Sequence, residues 1–128
     1  MDKFQTFEQC CAALGLDPAS CLPEVSKFPA QHQESITALA KLMIISEAVN
    51  EGWKPNWNDL DDYKYLPWFD MEVEKRNPSG FRFGGSGYGS PVSGSAGGSH
   101  LCFKSRDISD FVGKHYEDLW KAAMVFPG

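Results

Sequence analysis

The sequence has no long apolar run, which limits the ways it could associate with a membrane. Its longest nearly apolar run, Leu42 to Ile45, is four residues long, whereas a transmembrane helix needs about 20 residues. The first residues, Met1 to Phe4, are not followed by the apolar segment that a secretory signal contains. We therefore expect a cytoplasmic protein with no membrane partner.

Clusters of basic residues are also missing. The chain has 12 Lys and Arg residues and a net charge of -5, and its longest basic run is the pair Lys75 and Arg76. Proteins that follow a nucleic-acid backbone usually concentrate Lys and Arg on one face. The composition therefore disfavours binding to duplex DNA, although it leaves room for a local basic patch.

The cysteines lack the spacing of a metal site. Cys10, Cys11, Cys21 and Cys102 form no CxxC pair, and no histidine lies at zinc-finger spacing. The acidic stretch 56–62 lacks the glycine and the final glutamate of an EF-hand loop in register. We expect reduced thiols, no bound metal and no cofactor.

Complete catalytic and phosphate-binding motifs are absent as well. The segment Gly84 to Ser99 has seven glycines and five serines, but neither GxGxxG nor a Gly-Lys-Ser/Thr ending. Backbone entropy disfavours a regular element there. Two interpretations remain, a flexible surface loop or a loop whose N–H groups hold a phosphate. Since no nucleophile has a recognisable base, a non-enzymatic protein is favoured over an enzyme.

Local signals predict two short helical segments near the N-terminus. Thr6 and Gln9 form a capping box, which predicts a helix from Phe7 to Leu14. Gly15 supplies the left-handed stop. Asp17, placed before a proline, predicts one further turn.

The strongest helical pattern extends from Pro29 to Glu51, and such a helix would be about 34 Å long. Its predicted core face consists of Ile36, Leu39, Ala40, Met43, Ile44 and Ala48. Lys41, Ser46 and Asn50 are placed mostly off that face. We expect the face to pack against a sheet.

Three short strands and a last helix are predicted after the long helix. Alternation at Phe69, Met71 and Val73 indicates a strand, 77–80 a turn, 81–83 a return strand and 101–104 a third strand. Ser105 or Asp107 caps a final helix. Its apolar stripe is Ile108, Phe111, Val112, His115, Leu119 and Ala123. The predicted fold is a single α+β domain over residues 1–128, with helices on one face of a three-stranded antiparallel sheet.

Aromatic residues are concentrated between Trp53 and Phe69. Such rings either plug the end of the long helix against the sheet or stack on a flat ligand such as a base. His100 follows the Gly/Ser segment, where an imidazole could hold an anion. The candidate ligand-binding residues are Trp53, Trp57, Tyr65, Trp68, Tyr88, His100 and Lys104.

Three stretches carry a resemblance to a known group. They are Ile44 to Trp57, Tyr65 to Phe69 and Gly98 to Ser105. Together they resemble small uncharacterised proteins encoded by phages and prophages of gut Bacteroidetes, over about Thr6 to Trp120. The resemblance implies a phage accessory protein that acts in the host bacterial cytoplasm, and it implies no catalytic residues.

The function hypothesis combines these observations. The leading hypothesis is an anti-defence protein that binds and sequesters a nucleotide-like small molecule without catalysis, using rings for the base and N–H groups for phosphate. One alternative is a protein that binds single-stranded nucleic acid or assists replication. Another is a virion or host-protein interaction module. The sequence leaves open whether the protein forms a homo-oligomer.

Overall fold

Four α-helices and two antiparallel strands make up an α+β fold in the computed structural model, which describes residues 1–59, 61–71, 80–89 and 100–126. The helices are α1 (Phe7–Leu14), α2 (Ala30–Asn50), α3 (Arg106–His115) and α4 (Glu117–Met124), and the strands are β1 (Lys64–Asp70) and β2 (Arg82–Gly89). No helix in these ranges is both long and apolar enough to cross a bilayer.

Helix α1 confirms the predicted capping box. Thr6 Oγ1 accepts a hydrogen bond from the N–H of Gln9 at 3.1 Å, and Gln9 Oε1 accepts one from the N–H of Thr6 at 3.1 Å. These bonds satisfy donors that a helix start leaves unpaired. Gly15 ends the helix with φ 71°, a left-handed conformation that glycine adopts without a Cβ clash. The N–H of Ala19 bonds to Asp17 Oδ1, and a single turn follows, as predicted.

Helix α2 has the predicted extent, but its predicted core face was only partly right: Ala48 is buried in the core and Ile44 packs against it. Leu42, Ile45 and Val49 are fully buried, whereas Leu39 is 41% exposed and Met43 is only half-buried. The apolar residues of α2 are distributed around its whole circumference, so the periodicity offered more than one plausible core face. The helix packs mainly against α1 and α4, and α3 is the helix that packs on the sheet.

Two polar residues of α2 lie on the buried face, contrary to their predicted positions. Ser46 Oγ donates to the carbonyl oxygen of Leu42 at 2.7 Å. Asn50 Nδ2 donates to the carbonyl oxygen of Cys102 at 3.0 Å, and Asn50 Oδ1 accepts from the N–H of Lys104 at 3.1 Å. A buried polar group that is fully hydrogen-bonded costs little, so these two side chains tolerate burial.

The sheet differs from the prediction at both strands. Strand β1 begins at Lys64 rather than Phe69 and ends before Met71, and the remainder of the predicted strand, including Val73, lies outside the described residues. The predicted turn at 77–80 also lies outside the described residues, apart from Gly80.

Strand β2 continues through Gly89, although a regular element was not expected beyond residue 83. Trp68 pairs with Gly85 and Phe69 pairs with Phe83, so one extra residue of β2 forms a bulge at Gly84. Gly85 has φ 125°, a conformation that is strained for any residue with a Cβ. Residues 90–99 of the Gly/Ser segment lie outside the described residues.

The third predicted strand is reduced to a single bridge in the described chain. The N–H of Tyr65 donates to the carbonyl oxygen of Phe103 at 3.0 Å, and the N–H of Phe103 donates back at 2.9 Å. Among the described residues, the sheet therefore has two strands rather than three. The ring of Phe69 stacks on that of Phe81, the residue before β2, with 4.6 Å between ring centroids. The Phe69 centroid lies 5.4 Å from that of Trp120, and this contact joins the sheet to α4.

The final helix predicted from the sequence is two helices. Ser105 is the N-cap of α3, its Oγ accepting from the N–H of Ile108 at 3.2 Å. The backbone leaves helical geometry at Tyr116, where φ is -104° and ψ is 28°. The predicted stripe is thereby divided, and His115 is exposed, with its ring stacked on Phe111 at 5.0 Å.

Candidate functional site

A cleft of about 1020 Å³ lies at the C-terminal end of α2. One side is formed by the last two turns of α2, including Glu47 and Asn50, and by the end of α1. The other side is the loop that carries Trp53 and Trp57, and His100 completes the lining. We call this feature the cleft.

The seven candidate ligand-binding residues do not form one site. Trp53, Trp57 and His100 line the cleft. The others lie elsewhere: Tyr65, Trp68 and Tyr88 on the sheet, and Lys104 at an exposed position after the Phe103 bridge. The structure therefore separates six of the candidates into a cleft group and a sheet group, and Lys104 belongs to neither.

A buried lysine holds the loop side of the cleft. Lys64, at the start of β1, has no exposed side-chain surface, and its Nζ donates to the carbonyl oxygen of Asn56 at 2.5 Å. Asp62 Oδ2 lies 3.6 Å from the same Nζ and accepts from the N–H of Asn56 at 2.6 Å. Both backbone groups of Asn56 are thus bonded, and this fixes the residue next to Trp57.

The same ammonium group lies beside a tryptophan that lines the cleft. Lys64 Nζ is 5.0 Å from the ring centroid of Trp57, which is within the range of a cation–π contact. Sequence reasoning missed Lys64, because the predicted strand began only at Phe69 and a lysine outside a regular element usually points to solvent. The one available signal was the cluster of Asn and Asp residues before it, which could supply partners for a buried cation.

Asn50 anchors the side that carries His100. Its side-chain amide bonds to the backbone of both Cys102 and Lys104, so the end of α2 is tied to the segment that follows His100. Cys102 is fully buried there, and burial raises the pKa of its thiol to about 11, while the charge of Lys64 opposes that shift. A neutral thiol at this position is a packing group rather than a nucleophile.

The charges that line the cleft balance. Lys3 and Lys54 are positive and Glu47 and Glu51 are negative, so their formal charges sum to zero. Lys3 Nζ and Glu51 Oε2 form an exposed ion pair at 3.4 Å. Lys54 forms no ion pair with a residue that the structure describes. The end of α2 adds a partial negative charge from its last carbonyl groups.

Two members of the sheet group, Tyr65 and Tyr88, form a second aromatic feature with Tyr63, the residue before β1, and we call these three residues the tyrosine group. The ring of Tyr88 lies 5.1 Å from Tyr63 and 6.1 Å from Tyr65, and the Arg106 guanidinium lies 5.4 Å from the Tyr65 ring. Tyr88 is 61% exposed. Trp68 is 66% exposed and lies against Gly87, where a Cβ would collide with the indole.

Among the described residues, no group of three or more His, Cys, Asp or Glu side chains could hold a metal ion. Burial raises the pKa of the Cys10, Cys11 and Tyr116 side chains, and the Cys21 thiol further raises that of Cys11. These groups lie in the core and not in the cleft.

Comparisons with protein-family models, with curated proteins and with solved structures find no match to this chain, so a functional assignment depends on its own residues.

Proposed function

We propose that the protein binds a nucleotide-like small molecule in the cleft and does not transform it. The observation that carries this proposal is that Trp53 and Trp57, four residues apart in one loop, and His100, 43 residues further along the chain, line one cleft. A volume of about 1020 Å³ is large enough for a nucleotide, since small-molecule sites typically measure about 300–1,000 Å³.

The chemistry of the lining matches the parts of such a ligand. Indole rings provide stacking surfaces for a base, each worth on the order of 1–3 kcal/mol. Glu47 and the last carbonyl groups of α2 would accept hydrogen bonds from amino groups of the base. Lys54 and His100 would meet a phosphate. Backbone N–H groups of residues 84–89 were also expected to hold a phosphate, but they support phosphate binding less than expected, because those residues belong to a strand.

The resemblance to phage-encoded proteins gives this proposal a biological context. A non-catalytic binder made in quantity in the bacterial cytoplasm would lower the free concentration of its ligand. An anti-defence role would follow if the ligand were a signal of host immunity. This context is a proposal that depends on the resemblance, whereas the cleft is a property of the fold.

Thermal unfolding in the presence of candidate ligands tests the proposal. The probes are AMP, cyclic dinucleotides and ADP-ribose, each added to the full chain. A ligand at 100 times its dissociation constant should stabilise the fold by about 2.7 kcal/mol. Trp57→Ala should remove this stabilisation. Trp68→Ala is the matched control, because this tryptophan is exposed on the sheet and should leave ligand binding intact. If no probe shifts the transition, the proposal fails.

The tyrosine group favours a second candidate function, binding of single-stranded nucleic acid. Exposed rings with an arginine beside them are typical of surfaces that stack successive bases. The net charge of -5 weighs against a long polyanion, so this candidate ranks second. It predicts that oligo-dT binds, that Tyr88→Ala weakens binding and that affinity falls steeply with salt. Binding of AMP that is insensitive to Tyr88→Ala would favour the cleft instead.

A further inference from the structure

Lys64 is a fully buried cation next to the cleft, and the proposed function has so far given it only an anchoring role. We propose that Lys64 is a specificity-determining residue: its ammonium group, acting through the Trp57 ring, makes the cleft select neutral or anionic aromatic ligands over cationic ones. The inference rests on the proposed function, which it deepens by naming the ligand class.

The ammonium group of Lys64 lies beside the ring of a tryptophan that lines the cleft. Lys64 has no exposed side-chain surface, so the part of the Trp57 ring beside its Nζ is closed to solvent. Trp57 is itself half-buried and lines the cleft, so another part of the ring remains open to a ligand. A cation therefore already lies against the indole before any ligand arrives.

The charge beside the Trp57 ring changes what the open part of the ring attracts. Aromatic faces attract cations through the negative potential of the π system. A fixed ammonium group draws that electron density towards itself and adds its own positive potential. The open part of the ring consequently attracts a second cation less well and an electron-rich ring better. Trp57 is thus unlike the open aromatic cages that bind quaternary ammonium groups.

The other charges that line or border the cleft do not cancel the preference for neutral or anionic ligands. The two lysines and two glutamates that line the cleft have formal charges that sum to zero. Glu51 is paired with Lys3, which reduces its attraction for a cationic ligand. Asp62, 3.6 Å from Lys64 Nζ, offsets part of the positive field of the ammonium group, but its carboxylate does not line the cleft, and the charge that contacts the Trp57 ring is the ammonium group.

A matched pair of ligands tests the inference on the full chain. AMP and 1-methyladenosine 5′-monophosphate differ by one methyl group and by a positive charge on the base at neutral pH. We expect the wild-type protein to bind AMP more tightly, as measured by competition. The ratio of the two dissociation constants is the readout. Tighter binding of the methylated, cationic nucleotide by the wild-type protein would overturn the inference without any variant.

Lys64→Met then removes the charge but keeps most of the side-chain volume. The preference for AMP should fall by about threefold to tenfold, which is the size of one cation–π contact. Asp62→Asn is the control, because it weakens the same loop anchor while the ammonium group remains. It should weaken the binding of both nucleotides without lowering the preference for AMP, because the ammonium group stays and loses part of its counter-charge. If Lys64→Met weakens the binding of both nucleotides by the same factor, Lys64 is only a structural anchor.

If Lys64→Met does not fold, Lys64→Gln replaces it, because glutamine retains a donor for the Asn56 carbonyl group but carries no charge. The same fall in the ratio is then expected, and an unchanged ratio refutes the inference. Failure of both nucleotides to bind the wild-type protein would instead refute the proposed function. The two failures are therefore distinguishable.

Discussion

The orientation of α2 gives the sharpest prediction about the fold, because two leucines three residues apart have different surroundings. Leu42 is fully buried and belongs to the main hydrophobic core, whereas Leu39 is 41% exposed. Leucine and alanine differ little in helix propensity, so each substitution mainly reports lost burial. Leu42→Ala should lower the free energy of unfolding by about 2–5 kcal/mol. Leu39→Ala removes partly hydrated surface and should cost about 1 kcal/mol or less.

Urea unfolding at neutral pH, followed by tryptophan fluorescence, measures both variants against the wild-type protein. The dependence of the unfolding free energy on urea should be unchanged, which confirms that the variants share the same native and unfolded states. Equal losses for the two substitutions, or a larger loss for Leu39→Ala, would mean that α2 packs with the face that the sequence pattern first suggested. The structural account of α2 would then be refuted.

Two other predictions concern the core. Gly113→Ala should destabilise the protein by about 1–3 kcal/mol in urea unfolding, although alanine is the better helix former, because the new Cβ would lie 2.6 Å from Phe83 and 2.7 Å from Pro67; a more stable variant would contradict this packing. The pKa of the Cys102 thiol is about 11 in the fold and ~8.5 in the unfolded chain. Its contribution to the free energy of unfolding is therefore fully present below pH ~8.5 and should be lost by ~1.4 kcal/mol per pH unit as pH rises towards 11. Cys102→Ala should reduce this slope when unfolding is measured between pH 7.5 and 10.5.

The parts of the fold that follow from local chemistry could be predicted. The start of α1 depends on two side chains three residues apart, Thr6 and Gln9, and its end depends on Gly15. Ser105 caps α3 by the same kind of contact. Each signal lies within one helical turn of its effect, so no knowledge of the tertiary structure was needed.

The face of α2 could not be predicted, because it depends on which partner each side of the helix meets. Ser46 and Asn50 are polar, yet both are buried, since their hydrogen-bond partners are backbone groups that a sequence does not display. Strand β2 shows the same limit. Its glycines disfavour a strand by local entropy, but pairing with β1 and the close approach of Trp68 to Gly87 make glycine suitable there.

The candidate site was predictable in its residue types but not in its geometry. An aromatic cluster indicated rings for a ligand, and Trp53 and Trp57 do line one cleft. Tyr65 belongs to the sheet instead, because β1 begins five residues earlier than the alternating pattern suggested, and Tyr88 does so because β2 continues to Gly89. Lys64 was missed altogether. A buried cation is recognised by its surrounding acceptors, and these come together only in the folded loop.

The two anchors of the cleft also narrow the set of groups that a ligand would contact. Asn50 uses both ends of its amide on backbone groups, and Lys64 is bonded to Asn56 and Asp62. Neither anchor needs a ligand to satisfy it, so both sides of the cleft can be ordered before binding. Preorganised walls reduce the entropy that binding must otherwise lose. Direct hydrogen bonds to a ligand then come from the side chains that the anchors leave available, above all Lys54, His100 and Glu47. Substitution at these three positions, like the change proposed for Lys64, should alter which ligand binds, but without loosening the loop that Lys64 holds.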